Sequence, residues 1–130
     1  MQGETNLEKL LKEMQPELNT GEYVFATVAS TDFIKKEHIL SEFKEKEGIT
    51  VILERQHADL YQLSYNYIAS WITLNVHSSL DAVGLTALFS TELARHQISC
   101  NVISGYYHDH IFVNQKDGQK AMEVLQKLSK

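Results

Sequence analysis

His77-Ser78-Ser79-Leu80-Asp81-Ala82-Val83-Gly84-Leu85-Thr86-Ala87, followed downstream by Asn101-Val102-Ile103-Ser104-Gly105-Tyr106-Tyr107-His108-Asp109-His110-Ile111-Phe112-Val113, is the stretch whose reading decides the fold. Just upstream, Ile68, Ile72, Leu74 and Val76 share one strand parity and Trp71, Thr73, Asn75 and His77 the other, which predicts a strand with one apolar and one mixed face. Ser78 with Asp81 three residues on reads as a capping box for a helix whose stripe is Leu85, Leu88, Phe89 and Leu93. Ile98 to Tyr106 and Ile111 to Val113 then read as strands joined by a tight connection at Tyr107 to His110. Asn114 and Asp117 open a last helix carrying Ala121, Val124, Leu125 and Leu128. From residue 67 the order is β-α-β-β-α, one strand short of a ferredoxin-like β-α-β-β-α-β unit.

Working toward the amino terminus, Tyr23 to Ala29 is rich in aromatic and β-branched residues and reads as a strand, free to complete that sheet unless another protomer does. Leu7, Leu10, Leu11 and Met14 fall at i, i+3, i+4 and i+7 after a Thr5/Glu8 capping box, so a short amphipathic helix ends before Pro16, and Glu17 to Gly21 is turn chemistry. Phe33, Ile34, Ile39, Leu40 and Phe43 fit a helical stripe only in part, and a helix is expected over the second half of residues 32–47, ended by Gly48. Ile49 to Leu53 reads as a short strand, followed by a helical turn around His57 to Leu60 and a polar bend at Ser64 to Asn66. The expected organisation is an amino-terminal helix (1–16), a first half (17–66) and a second half (67–130) that borrows a strand from the first.

The chain's 130 residues, 43% apolar, suffice for an ordinary buried core. A formal net charge of −5 with scattered lysines provides no basic stripe for nucleic acid. A lone cysteine, Cys100, leaves no intramolecular disulfide and no cysteine cluster for zinc. With no apolar signal core and no long apolar run, a soluble cytoplasmic protein without membrane association is expected.

The turn from His77 to Gly84 brings hydroxyls and a helix amino terminus to a strand end, a place that favours a carboxylate or phosphate; Ser78 and Asp81 acting only as helix caps would explain both equally well. Gly84, read into the first turn of that helix, costs up to about 1 kcal/mol against alanine, which points to a tight contact there. Asn101 is placed at mid-sheet, where a side-chain amide needs a partner. His108 and His110 share a strand face with Asp109 opposite, and with no third ligand nearby they read as a structural turn ahead of a metal site. No nucleophile elbow and no glycine-rich phosphate loop is present, so neither a catalytic residue nor a cofactor is assigned.

The segment from Ile72 through Ala87, with Asn101 to His110 downstream, resembles an uncharacterised bacterial family of ACT-domain-like proteins, and Glu45-Lys46-Glu47-Gly48-Ile49-Thr50 is similar to that family's other recurring segment. The resemblance implies an α+β protein of two ferredoxin-like, ACT-type halves, antiparallel sheets with helices packed on one face. Its relatives in architecture are amino-acid-sensing regulatory domains, including the tandem modules of the cellular arginine sensor. ACT domains generally pair and often hold an amino acid at the interface. The usual contact maps here onto His77, Ser78, Ser79, Leu80, Asp81, Val83 and Gly84, with Asn101, Val102 and Ile103 on the facing strand. No attached enzyme or DNA-binding domain is read in the chain, so the expectation is that it acts on a separate partner, buffers or senses a metabolite, or has lost ligand binding.

The expectation is therefore a homo-oligomeric, non-catalytic regulatory module for a small molecule, preferably an amino acid. A ligand-free assembly module is the alternative, and a small metal-dependent enzyme using His108 and His110 comes third.

Overall fold

The computed structural model describes residues 7–75 and 84–129. In chain order they form α1 (Leu7–Glu13), β1 (Pro16–Leu18), β2 (Tyr23–Val28), β3 (Ser41–Lys44), β4 (Ile49–Glu54), α2 (Arg55–Leu60), β5 (Ile68–Leu74), α3 (Leu85–Arg95), β6 (Cys100–Ser104), β7 (Asp109–Asn114) and α4 (Gly118–Leu128). These make two compact units. One is contiguous, Thr20–Ala69; the other is split, joining the residues up to Asn19 to those from Ser70 onward.

In the split unit the strands lie in the order β1-β5-β7-β6, with β1 antiparallel to β5 and β6 antiparallel to β7. This is the ferredoxin-like arrangement, an α+β fold with helices on one face of the sheet. Alternation decides which face. Ile72 and Leu74 of β5 and Ile111 and Val113 of β7 are fully buried in one apolar cluster with the helices, while Trp71, Thr73, His110 and Phe112 take the opposite parity. On α3 the buried residues are Leu85, Phe89 and Leu93, a single stripe, and Leu88, expected in it, is only half-buried. α4 buries Ala121, Met122, Val124 and Leu125, and Leu10 and Met14 close the cluster from the amino-terminal side.

The strand that completes this sheet beside Ile72–Leu74 is not Tyr23 to Ala29 but Pro16–Leu18, in the register Pro16↔Leu74, Glu17↔Thr73, Leu18↔Ile72. The sequence reads as turn there because the strand is three residues long and begins with proline. An edge strand tolerates proline at its first position, where no N–H is needed for the ladder. Tyr23 and Val24 do pair with β5, but only with its first two residues, Ala69 and Ile68.

In the contiguous unit the order is β3-β4-β2 and then the start of β5, again ferredoxin-like, over a core of Val24, Ala26, Val51, Leu53 and Ala58. Here the expected helix in 32–47 is overturned. Ser41–Lys44 is a strand antiparallel to β4, and the only helical geometry is a single 3-10 turn at Lys36–His38. Its apolar residues fit a helical stripe only in part, and Phe43 is 71% exposed. Ladder pairing with β4 satisfies the backbone instead.

The β6–β7 connection falls at residues 105–108, two residues earlier than the expected Tyr107 to His110. Strand β6 stops at Ser104, and the Gly105 N–H donates to the His108 carbonyl at 2.8 Å, which leaves Tyr106 and Tyr107 exposed at the tip. A Cβ on residue 105 would lie 2.9 Å from that carbonyl oxygen, so the turn requires glycine.

Phe89→Ala removes a fully buried ring from the split unit's core and is expected to cost about 3–5 kcal/mol in urea denaturation. Phe43→Ala, on an exposed edge strand, is expected to stay within about 0.5 kcal/mol of the wild type.

Candidate functional site

His77, Ser78, Ser79, Leu80, Asp81 and Val83, and with them the Ser78/Asp81 capping box, lie outside the described residues. Gly84 is described, and it is not in the first turn of α3 but immediately before it, with φ +100°. Glycine stands there because an L side chain is strained in that conformation. The intrahelical ladder starts with Leu88 N–H donating to the Gly84 carbonyl at 2.9 Å, and Gly84 has no side chain with which to cap the earlier donors. Asn101, Val102 and Ile103 lie on β6, at the end of the strand order, so Asn101 is at an exposed edge and not at mid-sheet.

A polar network unforeseen in the sequence occupies the other face of the same sheet. Trp71 Nε1–H donates to His110 Nδ1 at 3.1 Å, and an indole nitrogen can only donate, so His110 is neutral with its proton on Nε2. Thr73 Oγ1 lies 3.4 Å from the same nitrogen and accepts from Asn19 Nδ2 at 3.0 Å, while Asn19 Nδ2 also reaches the Trp71 carbonyl at 3.2 Å. The Trp71 ring stacks on Phe112 with centroids 6.2 Å apart. Burial holds the His110 pKa below its ordinary value, the neighbouring His108 lowers it further, and Asp109 opposes both. The legible signal was parity, since Trp71 with Thr73 and His110 with Phe112 each alternate on adjacent strands.

His108 sits in the exposed turn while His110 is half-buried in β7, their rings 6.3 Å apart and nearly perpendicular. Asp109 is buried, its pKa raised by desolvation against a hydrogen bond from Ser104 that lowers it. Among the described residues, no group of three or more His, Cys, Asp or Glu is placed to hold a metal ion. Cys100 is half-buried and its thiol is pushed up to about 11 by desolvation, which makes it a poor nucleophile at neutral pH.

In the contiguous unit a group of polar side chains gathers around Arg55. Arg55 donates from Nε to the Tyr65 hydroxyl at 2.9 Å and from Nη1 to Glu22 at 3.1 Å, and Tyr65 donates to Asp59 at 2.8 Å. Glu22, Arg55 and Asp59 border a cleft of about 470 Å³ at the β4–α2 junction.

Models of the ACT domain match residues 2–70 and, separately, residues 66–127. The chain belongs to the ACT domain family. Both matches agree with the two ferredoxin-like units. A Vibrio cholerae protein of unknown function, described as a possible transport protein, is 48% identical over 95% of this ACT chain and 96% of its own, with a TM-score of 0.86. An Agobacterium tumefaciens protein solved by structural genomics shares the fold at 14% identity, covering 90% of each chain, with a TM-score of 0.67. The ligand-free regulatory subunit of Thermus thermophilus aspartate kinase shares it at 5% identity, over 92% of this chain and 100% of that one, with a TM-score of 0.62. No curated protein matches the sequence. No helix among the described residues of this ACT chain is long and apolar enough to cross a membrane.

Because the folded state holds His110 neutral while the unfolded chain protonates near about 6.5, the network's contribution is complete above that pH and is lost as the pH falls below it. Trp71 is the chain's single tryptophan and reports on the bond directly. Its emission is expected to titrate with an apparent pKa under 6.5, and His110→Asn is expected to abolish the transition; the same titration in that variant would assign it elsewhere.

Proposed function

We propose that this ACT chain is a non-catalytic regulatory module that binds a small molecule, preferably an amino acid, at the entrance to α3. One observation carries the reading: Gly84, at φ +100°, opens an eleven-residue helix whose first N–H groups precede the start of its own ladder. Donors of that kind with the positive end of the helix dipole suit a carboxylate. In this reading residues His77 to Gly84 receive the carboxylate, Asp81 or Asn101 holds the amine, and Val102 and Ile103 border the ligand. Membership of the ACT family supports it, as does the fold shared with an aspartate kinase regulatory subunit.

A second reading has its own support. β6 is an edge strand with Val102 and Ile103 half-exposed, which favours pairing with another copy and an assembly role that needs no ligand.

A thermal-shift screen against the amino acids and common metabolites separates the two. A ligand at a hundred times its dissociation constant adds about 2.7 kcal/mol of stability. Gly84→Val is expected to abolish that ligand-induced shift while the protein keeps its oligomeric state in size-exclusion chromatography. If no compound shifts the protein at millimolar concentration and Gly84→Val separates the subunits, the assembly reading stands instead.

A further inference from the structure

In a β-α-β-β-α-β unit the connection from the first strand to the second is normally a helix lying on the sheet. In the contiguous unit that connection is residues 29–40, which hold only the 3-10 turn at Lys36–His38. With no helical ladder of its own, its middle is held by side chains to α2 and to Tyr61, the residue that ends α2. Lys35 N–H donates to the Tyr61 hydroxyl at 3.1 Å, His38 Nδ1 lies 2.7 Å from the same hydroxyl, and Phe33 meets the Tyr61 ring edge-on at 6.0 Å. His38 also stacks on His57 of α2, with ring centroids 3.7 Å apart and planes 13° from parallel. The far end is anchored differently, by a backbone bond from Leu40 N–H to the Ile52 carbonyl of β4 at 2.8 Å.

The two stacked rings answer to protons in opposite ways. The Tyr61 hydroxyl accepts from Lys35, and its single proton then goes to His38 Nδ1, which accepts only in a neutral imidazole. A proton on that nitrogen reverses the contact and leaves the hydroxyl proton without its acceptor. His57 Nδ1, by contrast, is buried with no hydrogen-bond partner among the described residues and lies 3.7 Å from Glu54 Oε2. A proton there gives the nitrogen a carboxylate to face. One charge on His57 therefore suits the stack. A second, on His38, meets a like charge across rings whose centroids are 3.7 Å apart, too close for water or a counter-ion between them.

The surrounding charges do not offset that repulsion. Glu54, at the end of β4, is on the His57 side and is held by the Gln56 amide at 2.8 Å. Arg55 and Asp59 of α2 are engaged with Glu22 and Tyr65. The connection itself carries Asp32, Lys35, Lys36 and Glu37, and neither carboxylate makes an ion pair with His38 among the described residues.

We infer that His38 and His57 form a proton-operated latch on this connection. With one proton or none on the pair, residues 33–38 stay on α2; with two, they come away while Leu40 stays on β4. Ile34, 5% exposed, is the apolar side chain that release uncovers. The latch lies within the contiguous unit and needs neither a ligand nor the α3 entrance.

The test follows the full chain by NMR from about pH 8 to about pH 5, the span in which imidazoles titrate. The His38 and His57 ring resonances are expected to titrate in two separated steps, as coupled sites do. At the second step the Phe33–Tyr61 ring contact is expected to vanish, and the Lys35 amide to exchange at least about tenfold faster after correction for its intrinsic pH dependence. The amides of Leu40 and of the β2–β4 ladder are expected to keep their protection. His38→Phe and His57→Phe each keep a flat ring and remove one of the two charges, so each is expected to hold Phe33 on Tyr61 throughout the titration. Tyr61→Phe, which loses only the hydroxyl, is expected to speed Lys35 exchange at every pH. Persistence of the ring contact and of Lys35 protection with both imidazoles charged would overturn the inference, as would acid release unchanged in both histidine variants. Loss of Leu40 and ladder protection in step with Lys35 would overturn it too, since the whole unit would then be unfolding.

Discussion

Strand β5 is the constraint on which the rest depends. Its first two residues, Ile68 and Ala69, pair with β2 and belong to the contiguous unit, and its last three, Ile72 to Leu74, pair with β1 and belong to the split unit. Seven residues thus serve as the last strand of one ferredoxin-like unit and the first strand of the other. Because side chains alternate along a strand, a slip of one residue in either pairing would turn Ile72 and Leu74 out of the core and Trp71 and Thr73 into it. The hydrophobic cluster of Phe89, Leu93, Ile111 and Leu125 is what makes that slip costly.

Polar groups on the opposite parity reinforce the same register. Trp71 donates to His110 and Thr73 lies beside the same nitrogen, while Asn19 donates to the Thr73 hydroxyl and the Trp71 carbonyl, so β5, β7 and the residue that follows β1 are tied by one chain of hydrogen bonds. A neutral imidazole suits this position because its unprotonated nitrogen accepts where the Trp71 indole and the Thr73 hydroxyl can both donate. In the contiguous unit the corresponding cohesion comes from Tyr61, which gathers Phe33, Lys35 and His38 onto α2.

Much of the fold was legible in the sequence, and the misses share a cause. The stripes of α1, α3 and α4 and the alternation of β5 report burial, which periodicity encodes directly. Pro16–Leu18 and Ser41–Lys44 are edge strands with little buried surface, so their structure is set by the partner strand's backbone and leaves almost no pattern. For the candidate site the balance differs. Gly84 was conspicuous as a glycine in a helical context, yet its φ of +100° is a property of the path the chain takes into α3. The bond from Trp71 to His110 joins residues thirty-nine positions apart, and no local spacing announces it.

The split unit also fixes the order in which the molecule can be made. α1 and β1 leave the ribosome first, but their partners, β5, α3 and α4, are some fifty residues or more behind them. The contiguous unit, whose strands pair mostly with near neighbours in sequence, is complete once residue 69 has emerged. Leu10 and Met14 must wait through that interval without their cluster, so the apolar face of α1 is the surface most open to chaperones, or to premature association, while synthesis is under way.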